Sequence, residues 1–437
     1  MDLLRGRQNV RMLKFLRKSQ YWSHQQMKAW QLDRLNILLQ NAKKNSSFYA
    51  MKLEGFKIPL QHLEAIQELP ILTRDDIKLF FNDICCRNIN LKTCELSRTG
   101  GSTGEPMRYY LSKNSKNWNR GTVYRSAEWA NVYLGDRLVQ MTGSHYDYKK
   151  FQKIQQKLIL FFQRYKDLSV ASVTEDLFHK YYKIIKQYKP KSIWGYSSGI
   201  YQFAKFIETH YPSSEFGYLK ALITSSETLR SDWREKINSV FGIEKVFDHY
   251  GSREAYIASE CSQHKGYHIH SETIILEVIK KNGEWQQKGD MGKIVITDLS
   301  NHAFPFIRYA IGDVGIMGDR RMCPCGVSLP LLEKVVGRIS DCIILKDRIL
   351  TPFFGTLMSS SNGIEAYQII QESMEKLIVK IIKNEKYTPG DENMIKKTLE
   401  NLSGLEHGVC LEYVDKIPVP PSGKRRFVIS NISSSYL

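Results

Sequence analysis

The sequence predicts an α/β fold with a large N-terminal domain, residues 1–337, and a small α+β C-terminal domain, residues 338–437. Three observations predict it. Strand-like and helical segments alternate between residues 174 and 247, short β runs take over from Ile274, and beyond Gly337-Arg338 two strand-like runs flank one helical run. The 437 residues suit two or three folding units at ~150 residues each.

In chain order, apolar residues recur at helical spacing from Met27 to Ala50 (Trp30, Leu32, Leu35, Ile37, Leu38) and the run breaks at Asn45-Ser46-Ser47. Thr73 followed by Arg74-Asp75-Asp76 reads as an N-cap with acids in the first turn. Thr174-Glu175-Asp176 opens a helix that stops before Lys189-Pro190 and gives way to a strand at Ser192-Ile193-Trp194. Ala221 to Thr224 reads as a buried strand, Ser231 to Phe241 as the next helix and Lys245 to Phe247 as the next strand, which is the parallel α/β pattern. The runs Ile274 to Ile279 and Lys293 to Thr297, with a turn at Lys281-Asn282-Gly283, predict a smaller antiparallel unit. Leu377 to Ile382 and Gly408 to Val414 read as strands around a helix at Asn393 to Leu402.

Composition narrows the classes. Apolar residues at 42% and aromatics at 11% are those of a globular chain. Lys plus Arg number 63 against 45 Asp plus Glu, a net +18 that favours anionic company. The longest apolar runs, such as Leu158 to Phe162, fall far below the ~18 residues of a membrane span. The basic cluster Arg5, Arg7, Arg11, Lys14, Arg17 and Lys18 lacks the uninterrupted apolar core of a signal peptide, which argues for the cytoplasm; contact with a membrane surface stays open. Eight cysteines in such a chain read as thiols or metal ligands rather than a disulfide framework. Recognition patterns for nucleic acid are absent.

The densest chemical signal is Thr99-Gly100-Gly101-Ser102-Thr103-Gly104-Glu105-Pro106. Glycines let the backbone approach phosphate oxygens, and Ser102 and Thr103 add hydroxyl donors. It is not a Walker loop, because no Gly-Lys-Ser/Thr ends it and the strand-like Met107 to Tyr110 follows. Alone, it reads equally as a hairpin turn.

Together with four later segments this loop resembles the adenylate-forming superfamily of acyl-CoA synthetases, adenylation domains and luciferases. The segments are Tyr250-Gly251-Ser252-Arg253-Glu254, Arg308-Tyr309-Ala310-Ile311-Gly312-Asp313, the hinge-like Gly337-Arg338-Ile339-Ser340-Asp341, and Pro420-Pro421-Ser422-Gly423-Lys424. The wording is similar to the phenylacetate-CoA ligase branch and its capsular polysaccharide biosynthesis (CapK-like) subgroup. The resemblance implies activation of a carboxylate by ATP with Mg²⁺, and a C-terminal domain that is mobile about the hinge. It implies that Thr99, Gly100, Gly101, Ser102, Thr103 and Gly104 hold phosphates, with Thr103 catalytic, and that Ser226, Glu227, Gly251 and Ser252 contribute to the nucleotide site. Tyr250 would stack on adenine, Asp313 would bind the ribose diol with Arg338 beside it, Glu254 would hold Mg²⁺, and Lys424 would reach the α-phosphate.

Cys261, His264, His268 and His270 lie in one stretch, and Cys323-Pro324-Cys325 follows. Three thiolates and one imidazole make a tetrahedral Zn²⁺ set with no open position, hence a structural site. The resemblance favours His268 over His264 as the fourth ligand. Cys85, Cys86, Cys94, Cys342 and Cys410 are expected to be buried thiols.

The acyl pocket is expected among residues 135–148, Trp194 to Ser198 and Ser225 to Glu227, where Ser144, His145, Tyr146, Tyr196 and Ser197 favour a polar acid such as a sugar uronate or hydroxylated acid. Coenzyme A ligases usually carry a glycine shortly after the hinge, and Ile344 to Pro352 has none. That favours an amine acceptor, giving an amide in capsule or O-antigen synthesis, over CoA. A CoA ligase for an aromatic or other small acid, and an inactive interaction protein, are the alternatives; the oligomeric state is left at monomer or dimer.

Overall fold

The computed structural model describes residues 8–98, 107–142, 161–162, 164–170, 174–242, 244–280, 289, 291–318, 323–345, 349–350, 363–405, 407–418 and 427–432. The expected phosphate loop at Thr99 to Pro106, Ser144 to Tyr146, the turn at Lys281 to Gly283 and Lys424 lie outside these residues.

Helix boundaries follow the capping chemistry. Ser23 and Gln26 form a reciprocal capping box that opens the helix His24–Asn45, whose buried stripe is Leu35, Leu38, Leu39 and Ala42. Ser46 is extended and its hydroxyl accepts the Tyr49 N–H, so the chain restarts as a second short helix, Ser47–Lys52. Thr73 caps Arg74–Leu79 through a box with Asp76, and Thr174 caps Glu175–Tyr188.

A two-stranded hairpin, β1 (Glu95–Arg98) with β2 (Arg108–Leu111), flanks the expected phosphate loop. The main sheet contains β3 (Leu138–Met141), β4 (Tyr165–Asp167), β5 (Ser192–Tyr196), β6 (Ala221–Ser225), β7 (Val246–Gly251), β8 (Tyr256–Glu260), β9 (Tyr267–Ile269), β10 (Ile274–Ile279), β11 (Met291–Asp298), β12 (Tyr309–Met317) and β13 (Leu331–Arg338). Among the described residues these eleven strands run in the order β10-β11-β12-β13-β9-β8-β7-β6-β5-β3-β4. From β4 to β7 neighbours are parallel, and from β7 onward they are antiparallel. The expected separate antiparallel unit is therefore corrected: β10 and β11 extend the same sheet. β13 pairs back onto β9 and closes the gap, a non-local contact that local sequence pattern does not encode.

Helices Glu175–Tyr188, Ser197–His210 and Ser231–Phe241 cover one face of the parallel half, packing Phe178, Phe203, Ile207 and Phe241 against Val139, Ile193 and Leu222. Helix Lys113–Trp129 covers the other face through Ala127, against Leu138, Ile223 and Phe247. The N-terminal helices pack on the antiparallel half with Phe304, Phe306 and Tyr309 at the centre. Each such side chain contributes about 1.5–3 kcal/mol on full burial.

After β13 come a 3₁₀ turn, Ile339–Asp341, and the short pair β14 (Ile343–Ile344) and β15 (Ile349–Leu350). A second sheet then runs β18 (Val409–Tyr413), β17 (Lys376–Lys383), β16 (Ile364–Ser373), β19 (Val428–Ser430), backed by the helix Pro389–Ser403. It has its own core of Ile369, Leu377, Val379, Ile395 and Leu399. Cys85, Cys86 and Cys342 are buried thiols as expected; Cys94 is half-buried and Cys410 is exposed, because it faces outward from β18, where Val409 carries the buried side. No described helix is long and apolar enough to cross a membrane.

Candidate active site and metal centre

The strands of the main sheet bring three of the expected nucleotide-site residues together. β12 and β13 pair Asp313 opposite Arg338, and Tyr250 stands at the end of β7. The Tyr250 hydroxyl donates to Asp313 Oδ2 at 2.8 Å, and Arg338 Nε lies 3.0 Å from Asp313 Oδ1 while its Nη1 donates to the Ile311 carbonyl at 3.0 Å. Both carboxylate oxygens are thus engaged, and the charge of Asp313 holds the Arg338 guanidinium protonated. Burial, reinforced by Asp313, pushes the Tyr250 phenol well above its usual pKa, so it stays a donor.

The turn after β7 is built around Glu254. Ser252 Oγ accepts the N–H groups of Glu254 at 3.3 Å and Ala255 at 3.4 Å, and Ser252 N donates to the Ala255 carbonyl at 2.9 Å. A Cβ on Gly251 would meet the Ala255 oxygen at 3.0 Å, which is why a glycine sits there. Glu254 is 4% exposed, and its negative charge helps push the buried Tyr109 and Tyr309 phenols up, after burial itself. A buried carboxylate facing Arg338 is a fitting donor for a hard divalent cation such as Mg²⁺. Arg253 Nη1 donates to the Arg98 carbonyl at 3.2 Å, tying this turn to the strand that leads into residues 99–106.

Ser226 follows β6 in the left-handed region at φ +69°, and Glu227 turns back to accept the Ser198 N–H at 3.0 Å, at the start of helix Ser197–His210. Arg308, inside one of the quoted motifs, is structural. It is ion-paired with buried Glu277 at 2.9 Å and donates to the Gln67 carbonyl at 2.6 Å.

Sequence reasoning gave Arg253 no role within its quoted motif and passed over His249. His249 precedes Tyr250, and strand alternation turns it to the opposite face, where helix Lys113–Trp129 packs.

The expected metal ligands converge. Cys261, His268, Cys323 and Cys325 each offer a ligand atom within 4.8 Å of the others. The Cys261 and Cys323 sulfurs are 3.7 Å apart and His268 Nε2 is 3.2 Å from Cys325 Sγ. Tetrahedral Zn–S bonds of about 2.3 Å imply sulfur–sulfur edges of about 3.8 Å, so the Cys261–Cys323 edge suits Zn²⁺. His268 Nδ1 faces the Leu329 carbonyl at 3.0 Å, which fixes the ring with Nε2 toward the thiols. Burial holds the imidazole pKa down to about 4 and pushes the Cys261 thiol up, so a bound cation would supply the charge that makes these groups ligands. His264 is not in the group. It sits 3.3 Å from Glu260, which Arg234 also engages at 2.7 Å.

Residues 345–431 match the family model described as the CapK C-terminal domain. Protein CapK of Staphylococcus aureus is 27% identical over 414 residues, covering 89% of this chain and 86% of that protein. The phenylacetate-coenzyme A ligase of Thermus thermophilus is 22% identical over 362 residues, covering 79% and 78%. Among solved structures, 2-hydroxyisobutyryl-CoA ligase in the postadenylation state aligns with a TM-score of 0.72 at 20% identity over 95% of this chain and 93% of that one.

Proposed function

We infer that this chain, a relative of CapK and the phenylacetate-coenzyme A ligases with the fold of adenylate-forming ligases, is an AMP-forming ligase. It would join a carboxylate to ATP as an acyl-adenylate, releasing pyrophosphate, and then transfer the acyl group to an acceptor. The observation that carries this reading is the convergence of Tyr250, Asp313 and Arg338 beside a buried Glu254, in a turn tethered to the entry of the glycine and hydroxyl loop. A nucleotide is the ligand that such a set serves best: a carboxylate for a vicinal diol, an aromatic face, and a second carboxylate that would hold a divalent cation to offset phosphate charge.

In this reading the carboxylate oxygen of the acid attacks the α-phosphate in line, and pyrophosphate leaves with the bond electrons. Thr99 to Gly104 hold the phosphates, Lys424 meets the charge building on the α-phosphate, and Glu254 holds Mg²⁺, which when bound neutralises the phosphate oxygens. Asp313 exchanges part of its contact with Arg338 and Tyr250 for the ribose hydroxyls. Ser226, Glu227, Gly251 and Ser252 shape the same cleft. Residues 1–337 form the substrate-binding domain and 338–437 the cap that delivers Lys424. Cys261, His268, Cys323 and Cys325 hold a structural Zn²⁺ that pins the β8–β9 turn to the segment before β13.

The acid is polar, such as a sugar uronate, and the acceptor is an amine, with CoA as the second reading; the likeness to a CapK protein supports a place in capsule or O-antigen synthesis. ATP–pyrophosphate exchange across a panel of sugar, aromatic and amino acids is expected to be positive and to fall by ~10²-fold or more in Lys424→Ala. Silence across the panel would sink the ligase reading, and supplying CoA or amines to the loaded enzyme identifies the acceptor. Metal analysis is expected to find about one zinc per chain, lost in Cys323→Ser.

A further inference from the structure

His249 is 2% exposed, and its Nε2 is a buried nitrogen without a hydrogen-bond partner among the described residues. Its other nitrogen, Nδ1, is hydrogen-bonded to the Tyr256 hydroxyl. A buried polar atom left unmatched costs about 1–3 kcal/mol, so its retention asks for a reason.

The strand register supplies the surroundings. Tyr196, Ser225 and His249 occupy one rung across β5, β6 and β7 and point to one face of the sheet; Trp194 lies two residues before Tyr196, its ring 5.5 Å from the His249 ring. On β3, Gln140 pairs with Trp194. In the middle of an eleven-stranded sheet these side chains would ordinarily be sealed. Instead Gln140, Thr142, Trp194, Tyr196 and Ser225 all remain partly exposed, whereas Val139, Met141, Ile193, Leu222 and Thr224, on the opposite face, are fully buried. The face that carries His249 is therefore open at the C-terminal ends of the parallel strands, where ligands enter open α/β sheets.

We propose that His249 recognises a hydroxyl group on the acid, which makes the substrate a hydroxylated monocarboxylic acid. This rests on the ligase reading of the same site and names its substrate class. A hydroxyl is the group that satisfies Nε2 in either tautomer, because it accepts from Nε2–H when the Tyr256 hydroxyl donates to Nδ1 and donates to the Nε2 lone pair when Nδ1–H donates to the Tyr256 oxygen. A second carboxylate is disfavoured. Gln140, Thr142, Trp194, Tyr196 and Ser225 offer it no cation, and burial holds the imidazole neutral, with its pKa down at about 3. A plain aliphatic or aromatic chain would leave the nitrogen unmatched.

The test compares matched acids in ATP–pyrophosphate exchange: glycerate against propionate, glucuronate against cyclohexanecarboxylate, 4-hydroxybenzoate against benzoate. The parent protein is expected to favour at least one hydroxylated member by about 10- to 100-fold in kcat/KM. His249→Leu is expected to bring that ratio close to one, and His249→Gln to keep most of it. An unchanged ratio in His249→Leu, or no preference in the parent, overturns the proposal while leaving the ligase reading intact. If no acid supports exchange, the ligase reading fails and the proposal is judged by binding. Thermal stabilisation by hydroxylated acids in the presence of AMP, seen in the parent and absent in His249→Leu, upholds it; no stabilisation, or equal stabilisation in both, overturns it.

Discussion

His249 also titrates in a way that its burial dictates. Its pKa falls from 6.5 to about 3 because the charged ring would lose its hydration, and no neighbouring carboxylate offsets that loss. The unfolded chain therefore takes up a proton near pH 6.5 that the folded chain refuses until about pH 3. The stability from this group is fully present above pH 6.5 and is lost progressively as pH falls toward 3, at about 1.4 kcal/mol per pH unit, or about 2 kcal/mol at pH 5. His249→Gln is expected to flatten the urea-unfolding free energy between pH 6.5 and 5 by about that amount, and an unchanged slope would assign the acid limb to other groups. Residue identities carried much of the candidate site in advance: Tyr250, Glu254, Asp313 and Arg338 stand in recognisable segments. His249 was not legible, because a histidine before a Tyr-Gly pair gains meaning only when the register shows which face it occupies and what stands opposite.

At the scale of elements, local chemistry was the readable part. Threonine caps marked helix starts at Arg74 and Glu175, where a side-chain oxygen substitutes for a missing helical acceptor. The C-terminal helix starts four residues earlier than its apolar pattern indicates, since Thr388 and Asp391 form a capping box and Pro389 fits the first position. Docking between elements was not readable. Arg125, fully buried in helix Lys113–Trp129, pairs with Glu272 at 2.9 Å, and Ser19, the last residue of helix Asn9–Ser19, donates to the same carboxylate at 2.7 Å. The N-terminal helix, which reads in sequence as a free basic segment, thus buries Leu13 and Leu16 and pairs Arg17 with Glu128. Removing one partner strands a buried charge, so Arg125→Met is expected to destabilise by about 3–5 kcal/mol in urea unfolding, whereas the double change with Glu272→Leu recovers most of the loss. Equal losses in the single and double variants would show that packing volume, not charge, decides.

For the molecule as a whole, the boundary between the two domains can be argued from which residues are fastened to which body. Arg338 is held to the main sheet by Asp313 and the Ile311 carbonyl. Ile344 is held to the small sheet, where the buried Gln371 amide accepts the Ile344 N–H at 2.9 Å and donates to its carbonyl at 2.7 Å. In the proposed ligase, rotation between the bodies then falls on the residues between Arg338 and Ile344, which include the turn Ile339–Asp341. In the proposed ligase, two half-reactions served by one cap need this segment to adopt two backbone states. A proline at Ser340 fixes one φ early in that turn, where a missing N–H is tolerated, and so favours one state over the other. Ser340→Pro is expected to hold ATP–pyrophosphate exchange within about threefold and to lower acyl transfer to the acceptor by about tenfold or more, as pre-steady-state quenching of the two steps would resolve. Equal loss in both steps would place the pivot elsewhere and would leave Arg338, which the proposed site sets beside the ribose and which adjoins the turn Ile339–Asp341, as the residue that couples ribose binding to the position of the cap.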